Sequence, residues 1–140
     1  AMLLGSMLAG QAFANSPVAA VHALAYPLGG HFGIPHGLSN ALVLPHVLRF
    51  NAPACGPLYA QLAPHALPDL PPGAGADAFV AGIERLCADL GLPPRLRDAD
   101  VPRDALPLLA EDAMRQTRLL VNNPRPVAPE DALAIYEAAW

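Results

Sequence analysis

No side chain between Ala1 and Leu48 carries a formal charge; the first that does is Arg49. A third of a 140-residue chain without one Asp, Glu, Lys or Arg has to be buried or has to face something other than water. Inside this segment, the stretch HALAYPLGGHFGIPHG from His22 to Gly37 nevertheless holds three imidazoles. Two trivial explanations fit poorly. A membrane span needs about 20 uninterrupted apolar residues, and Gly5, Ser6, Gly10, Gln11, Asn15, Pro17, His22 and Pro27 interrupt every such window. Ala12-Phe13-Ala14 imitates the small-x-small site of a secretory leader, but no positively charged stretch precedes it. The segment therefore reads as buried core, with membrane insertion and secretion as the minor alternatives.

The remaining composition narrows the class. Eight arginines and no lysine are scattered singly among twelve acids, with a net charge of −4. No basic stripe exists to neutralise phosphates, so nucleic acid is not an expected partner. Cys55 and Cys87 stand alone, far apart in sequence and without a CxxC companion. They form neither a disulfide framework nor a zinc knuckle, and read as idle thiols of a reducing, cytoplasmic compartment. The length suits one domain spanning residues 1–140.

Helical periodicity runs through the chain and no useful strand alternation appears, so an all-α bundle is expected. Residues 1–14 read as a helix packed on all sides. Ser16 and Pro17 read as the cap and first position of a second helix, ending near Leu28 at Gly29-Gly30. A third helix begins at His36 and kinks at Pro45. Past Asn51 the prolines and glycines of APHALPDLPPGAGAD predict loop, placing His65 in it. DAFVAGIERLCADLG predicts an amphipathic helix closed by Gly91. A helix over about Asp104–Val121 ends at Asn122-Asn123-Pro124, and Pro129-Glu130-Asp131 opens the last one. The chain opens inside a running helix with no cap, and is expected to be the C-terminal piece of a longer protein.

His22, read as mid-helix, shares a face with Tyr26 four residues on, and His36 opens the next helix. Two helices joined by a tight turn can bring such imidazoles to one metal ion. The spacing permits this without requiring it, and core histidines bonded to backbone carbonyls fit the same pattern. His31 reads as ligand, surface residue or pocket wall; His46 and His65 read as structural or solvated. Every acid lies at or beyond Asp69, so no carboxylate is local to the histidines. Two imidazoles alone make an incomplete site.

GQAFANSPVAAVHALAYPLGGHFGIPHGLSNALVLPHVLRFN, with GLPPRLRDADV and NNPRPVAPEDALAIYEAAW further on, resembles the iron-containing alcohol dehydrogenases, relatives in fold of dehydroquinate synthase. The likeness spans essentially the whole chain. It implies a C-terminal helical domain whose partner, an N-terminal Rossmann-like domain, holds NAD or NADP and is absent here. Fe2+ or Zn2+ would be held by an Asp and a His upstream of Ala1 together with His22 and His36. The implied reaction is reversible hydride transfer between a small alcohol or aldehyde and the nicotinamide. Where many relatives carry a further histidine on a proposed proton route, this chain has Tyr26, whose phenol is a poor proton carrier at neutral pH. Phe13 and Leu119 match positions that line the alcohol pocket in relatives, or are ordinary core residues. The resemblance also implies a homo-oligomer and an isolated chain without activity. The competing readings are a metal-free helical interaction module, or a fragment of a maleylacetate reductase-like enzyme.

Overall fold

The computed structural model describes all 140 residues, and every regular element in it is helical. The order is α1 (Met2–Asn15), α2 (Ala20–Phe32), α3 (His36–Ala66), α4 (Ala76–Asp89), α5 (Leu106–Met114), α6 (Thr117–Leu120) and α7 (Pro129–Ala139). Short 3-10 turns at Leu96–Ala99 and Arg103–Ala105 punctuate the connector into α5. No helix is long and apolar enough to cross a membrane.

The main core forms where α2 lies between α3 and α5, with α7 closing over α3 and α5. Ala20 and Ala23 let neighbouring backbones approach α2, while Leu24 and Leu28 fill the space between. Both leucines are fully buried, which stabilises by about 1.5–3 kcal/mol each. Tyr136 of α7 is also completely buried; its hydroxyl donates to the Leu24 carbonyl at 2.6 Å. Trp140 donates from Nε1 to the Val101 carbonyl, and the Arg97 and Arg103 guanidinium groups lie over its ring. A smaller core joins Cys55, Tyr59 and Ala63 of α3 to Phe79 of α4. There α4 comes so close that a Cβ on Gly82 would stand 2.6 Å from Leu67 Cδ1.

The uncharged first third is not uniformly buried. Every residue of α1 is exposed, Met2 and Leu3 by more than 80%, and no other element covers the helix. A helix packed on all sides was expected; the helix forms, but this chain supplies nothing to pack on it. Burial begins at Ala20.

Three further helices depart from the sequence reading. Ser16 ends α1 instead of capping α2, which starts at Ala20 and runs through Gly29 and Gly30 to Phe32. Glycine inside a helix costs only about 1 kcal/mol, less than the core contacts gain, and the stop falls at Gly33, whose φ of 65° suits a residue without Cβ. The linker then doubles back, bringing the Ile34 carbonyl to 3.4 Å from where a Gly29 Cβ would stand.

Helix α3 continues past Asn51 to Ala66, through Pro45, Pro53, Pro57 and Pro64, so His65 lies in its last turn rather than in a loop. Pro53, Pro57 and Pro64 face solvent, where water can satisfy the carbonyls they leave unpaired. The opposite face buries Cys55, Tyr59 and Ala63. The helix expected over Asp104–Val121 is split, because Gln116 leaves helical geometry at ψ 49° between α5 and α6. Gly91, at φ 70°, follows α4 as expected, and Pro129 opens α7 with the Asp131 carboxylate accepting from the Ala128 amide at 2.9 Å.

Candidate metal centre

Because α2 starts at Ala20, His22 sits in its first turn rather than mid-helix, with Tyr26 one turn further along. His36 is the first residue of α3. The doubled-back linker Gly33–Pro35 returns the chain along α2, so the two helix starts lie together despite the 14 positions between the histidines. The His22 and His36 ring centroids are 5.2 Å apart, inclined at 55°. Tyr26 completes a triangle of rings, 6.3 Å from His22 and 5.8 Å from His36. His22 is half-buried, whereas Tyr26 and His36 open to solvent.

Burial, and then the neighbouring His36, lower the pKa of His22 below its ordinary value. A neutral imidazole keeps a nitrogen lone pair, the state a metal ligand requires. The donor chemistry suits Fe2+ or Zn2+, which both accept imidazole nitrogen. Two such donors are fewer than a metal ion usually takes from protein, and nowhere in the chain do three His, Cys, Asp or Glu side chains gather as a metal site.

The surroundings hold this geometry in place. Ser39 Oγ donates to the Ile34 carbonyl at 3.2 Å and pins the linker. Asn122 Nδ2 donates to the Val18 carbonyl at 3.1 Å, tying the end of α6 to the segment that leads into α2. Asn51 and Asn123 exchange amide hydrogen bonds at 3.0 and 2.8 Å between α3 and the turn after α6. Arg125 donates to the Phe50 carbonyl and lies over the Phe50 ring. Asn122-Asn123-Pro124 reads in sequence as a helix stop; that its two amides also staple α2 and α3 depends on contacts 72 and 104 positions away, for which no local signal exists. Asn40, at i+4 from His36 on α3, is a neighbour that helical spacing alone makes legible. Its Nδ2 donates to the His36 carbonyl at 2.8 Å and stands 3.1 Å from His36 Nε2, and its Oδ1 is buried with no partner.

The other candidates fall elsewhere. His31, near the end of α2, meets Asp112 of α5 at 2.5 Å, and Arg115 holds the second carboxylate oxygen at 2.8 Å. It ties α2 to α5. His46 is half-buried beside a cavity between α3 and α4 that Glu84 and Cys87 also line, and burial lowers its pKa. His65 is exposed. Phe13 lies on the uncovered α1, 57% exposed. Leu119 is half-buried on α6, packed against the main core.

Comparisons with known proteins identify the family of the whole chain. The model of the C-terminal part of the Fe-containing alcohol dehydrogenase family matches residues 1–140. Long-chain-alcohol dehydrogenase 1 of Geobacillus thermodenitrificans is 44% identical across 99% of this chain, and lactaldehyde reductase of Escherichia coli is 37% identical across the same share. The chain spans only 36% and 37% of those two proteins. The solved alcohol dehydrogenase from Oenococcus oeni superposes with a TM-score of 0.85 at 32% identity, covering 96% of this chain and 36% of its own. Since its sequence and all-helical fold match from one end to the other, this chain belongs to the Fe-containing alcohol dehydrogenase family and corresponds to that family's C-terminal domain.

Proposed function

We propose that this chain is the metal-binding helical part of a nicotinamide-dependent alcohol dehydrogenase, with His22 and His36 as two of the metal's protein ligands. The observation that carries this reading is the pair of imidazoles 5.2 Å apart at adjoining helix starts, inside a chain that matches the family throughout. The remaining ligands and the NAD or NADP site belong to the part of a family-length protein that lies outside the matched third. A divalent Fe2+ or Zn2+ there supplies Lewis acidity, which makes an alcohol hydroxyl more acidic.

The chain's own residues have simpler tasks. His22 and His36 present nitrogen lone pairs. Tyr26, 43% exposed and beside both rings, offers its hydroxyl as a hydrogen-bond partner to the substrate oxygen, and is a weak proton carrier. Leu119 and Phe13 serve as apolar walls for the alcohol or aldehyde. The uncovered α1 supplies the reason for a partner: its apolar sides require cover, which we assign to the nicotinamide-binding domain and its neighbouring segments. On this reading residues 1–140 act as one domain of a cytoplasmic homo-oligomer and turn nothing over alone.

Calorimetric titration of the 140-residue chain with zinc tests the ligand assignment. Weak binding is expected, because two imidazoles stand where a full set is needed. His22→Ala and His36→Ala should each abolish it. Tight binding that survives both substitutions would remove these histidines from the site.

A further inference from the structure

The last turn of α2 is Gly29-Gly30-His31-Phe32, and its two adjacent glycines make it the weakest stretch of the helix. Were α2 to end at Leu28, the whole of Gly29–Pro35 would join it to His36. Because the turn stays helical, the connection is only Gly33–Pro35. That short connection has little slack. His36 stands beside His22 and Tyr26, whose levels on α2 lie roughly 9–15 Å back from Phe32 along the helix axis. The Cα steps from Phe32 to His36 reach at most about 14 Å, and the left-handed Gly33 uses part of that reach to reverse the chain. The position of His36 therefore depends on the last turn of α2 remaining helical.

One side chain of that turn makes a polar contact outside the helix. His31 Nε2 stands 2.5 Å from Asp112 Oδ2 on α5. A carboxylate only accepts, so Nε2 carries the hydrogen. Asp112 is itself held, because Arg115 meets its other oxygen at 2.8 Å. His31 follows His22 by about two and a half turns and so lies on the opposite side of α2, where it can act on the site only through the main chain. We propose that His31 is a positioning residue for the metal site: its hydrogen bond to Asp112 keeps Gly29–Phe32 helical, and the short connection that results holds His36 against His22. The inference rests on the reading of His22 and His36 as ligands. It adds an anchor to the buried contacts that carry α2 through Gly29-Gly30.

Three variants of the 140-residue chain test it. His31→Gln keeps an N–H in the place of Nε2, and His31→Leu removes it. The third joins His31→Leu to Gly30→Ala, which strengthens the same turn at a position where a Cβ meets nothing within 4 Å. Hydrogen exchange of the Gly33 amide, which donates to the Gly29 carbonyl at 3.0 Å, reports the turn. Nuclear Overhauser contacts between the His22 and His36 ring protons report the site in the metal-free chain, and zinc titration followed by the histidine 15N shifts reports affinity. In His31→Leu, exchange at Gly33 should quicken roughly tenfold, the ring contacts should weaken, and zinc should bind roughly threefold to tenfold more weakly. His31→Gln should stay near wild type, and Gly30→Ala should restore most of what His31→Leu loses. If zinc shifts His22 and His36 in the wild type while His31→Leu leaves exchange, ring contacts and affinity unchanged, the role of His31 is overturned and the ligand assignment stands. Losses that Gly30→Ala does not repair overturn it too, since helicity of the turn is then not what His31 supplies. If zinc shifts neither histidine in the wild type, the ligand reading fails and a positioning role toward a metal site fails with it.

Discussion

Helices α1 and α2 are alike in sequence: both short, both apolar, neither with an acid or a permanently charged base. Their fates differ completely. Helix α2 buries Ala20, Ala23, Leu24, Ala25 and Leu28 against α3 and α5, while α1 buries nothing. Absence of charge therefore says that a helix needs cover, without saying where the cover comes from. For α2 it lies in the same 140 residues, and we place the cover for α1 in the rest of a family-length protein. The same division applies to the candidate site, where two imidazoles meet inside this chain and no third His, Cys, Asp or Glu joins them.

The largest effect should come from cutting equal volume out of the two helices. Leu24→Ala should lower unfolding free energy by about 2–5 kcal/mol, since it opens a cavity in a fully buried site. Leu4→Ala, at a position 58% exposed, should stay within about 0.5 kcal/mol. Urea denaturation of both variants measures the contrast, and equal losses would mean that α1 is packed in solution. Next in size, Tyr136→Phe removes the hydroxyl that bonds the Leu24 carbonyl and should cost about 1 kcal/mol or somewhat more in the same assay.

A smaller term depends on pH. Burial, and then the Arg49 charge, lower the His46 pKa in the folded chain, so the unfolded chain takes up the proton first as pH falls below about 6.5. Stability is therefore lost toward acid. Glu84, held below its usual value by its hydrogen bond from Arg49, acts in the same direction below about 4.5, weakened by its exposure. Denaturation midpoints at pH 7.5 and 5.5 should differ less in His46→Leu than in the wild type; an unchanged difference would assign the acid sensitivity elsewhere. Smallest in stability is Leu4→Glu combined with Leu8→Glu, expected to shift unfolding by less than about 0.5 kcal/mol. The pair should nonetheless abolish the concentration-dependent light scattering expected from the exposed apolar helix of the wild type.

Local chemistry in the sequence carried much of the fold. Gly91 after α4, and Pro129 with Asp131 at the start of α7, mark boundaries through backbone preference and capping, which depend only on neighbours in the chain. Local preference failed where packing outweighed it. Gly29-Gly30 did not stop α2, and four prolines did not stop α3, because buried faces on both helices gain more than these residues cost. At the site, spacing alone left His22 and His36 open between ligand and core, and the family resemblance singled them out. Their supports were illegible: Asn122 and Asn123 act across about half the chain or more, and His31 finds Asp112 at a distance of 81 positions.

On the proposed function, these two histidines complete a metal site of a nicotinamide-dependent dehydrogenase once the rest of the protein is supplied. The most direct measurement joins residues 1–140 to the N-terminal part of lactaldehyde reductase of Escherichia coli in place of that protein's matched segment, and follows alcohol-dependent reduction of NAD and NADP by absorbance after loading with Fe2+ or Zn2+. The expected result is turnover by the chimera, no turnover by the 140 residues alone, and loss of turnover in His22→Ala and His36→Ala chimeras that remain folded. A chimera that keeps its full rate after both substitutions, or a folded chimera with metal and nicotinamide bound that reduces nothing across a panel of alcohols, would contradict it.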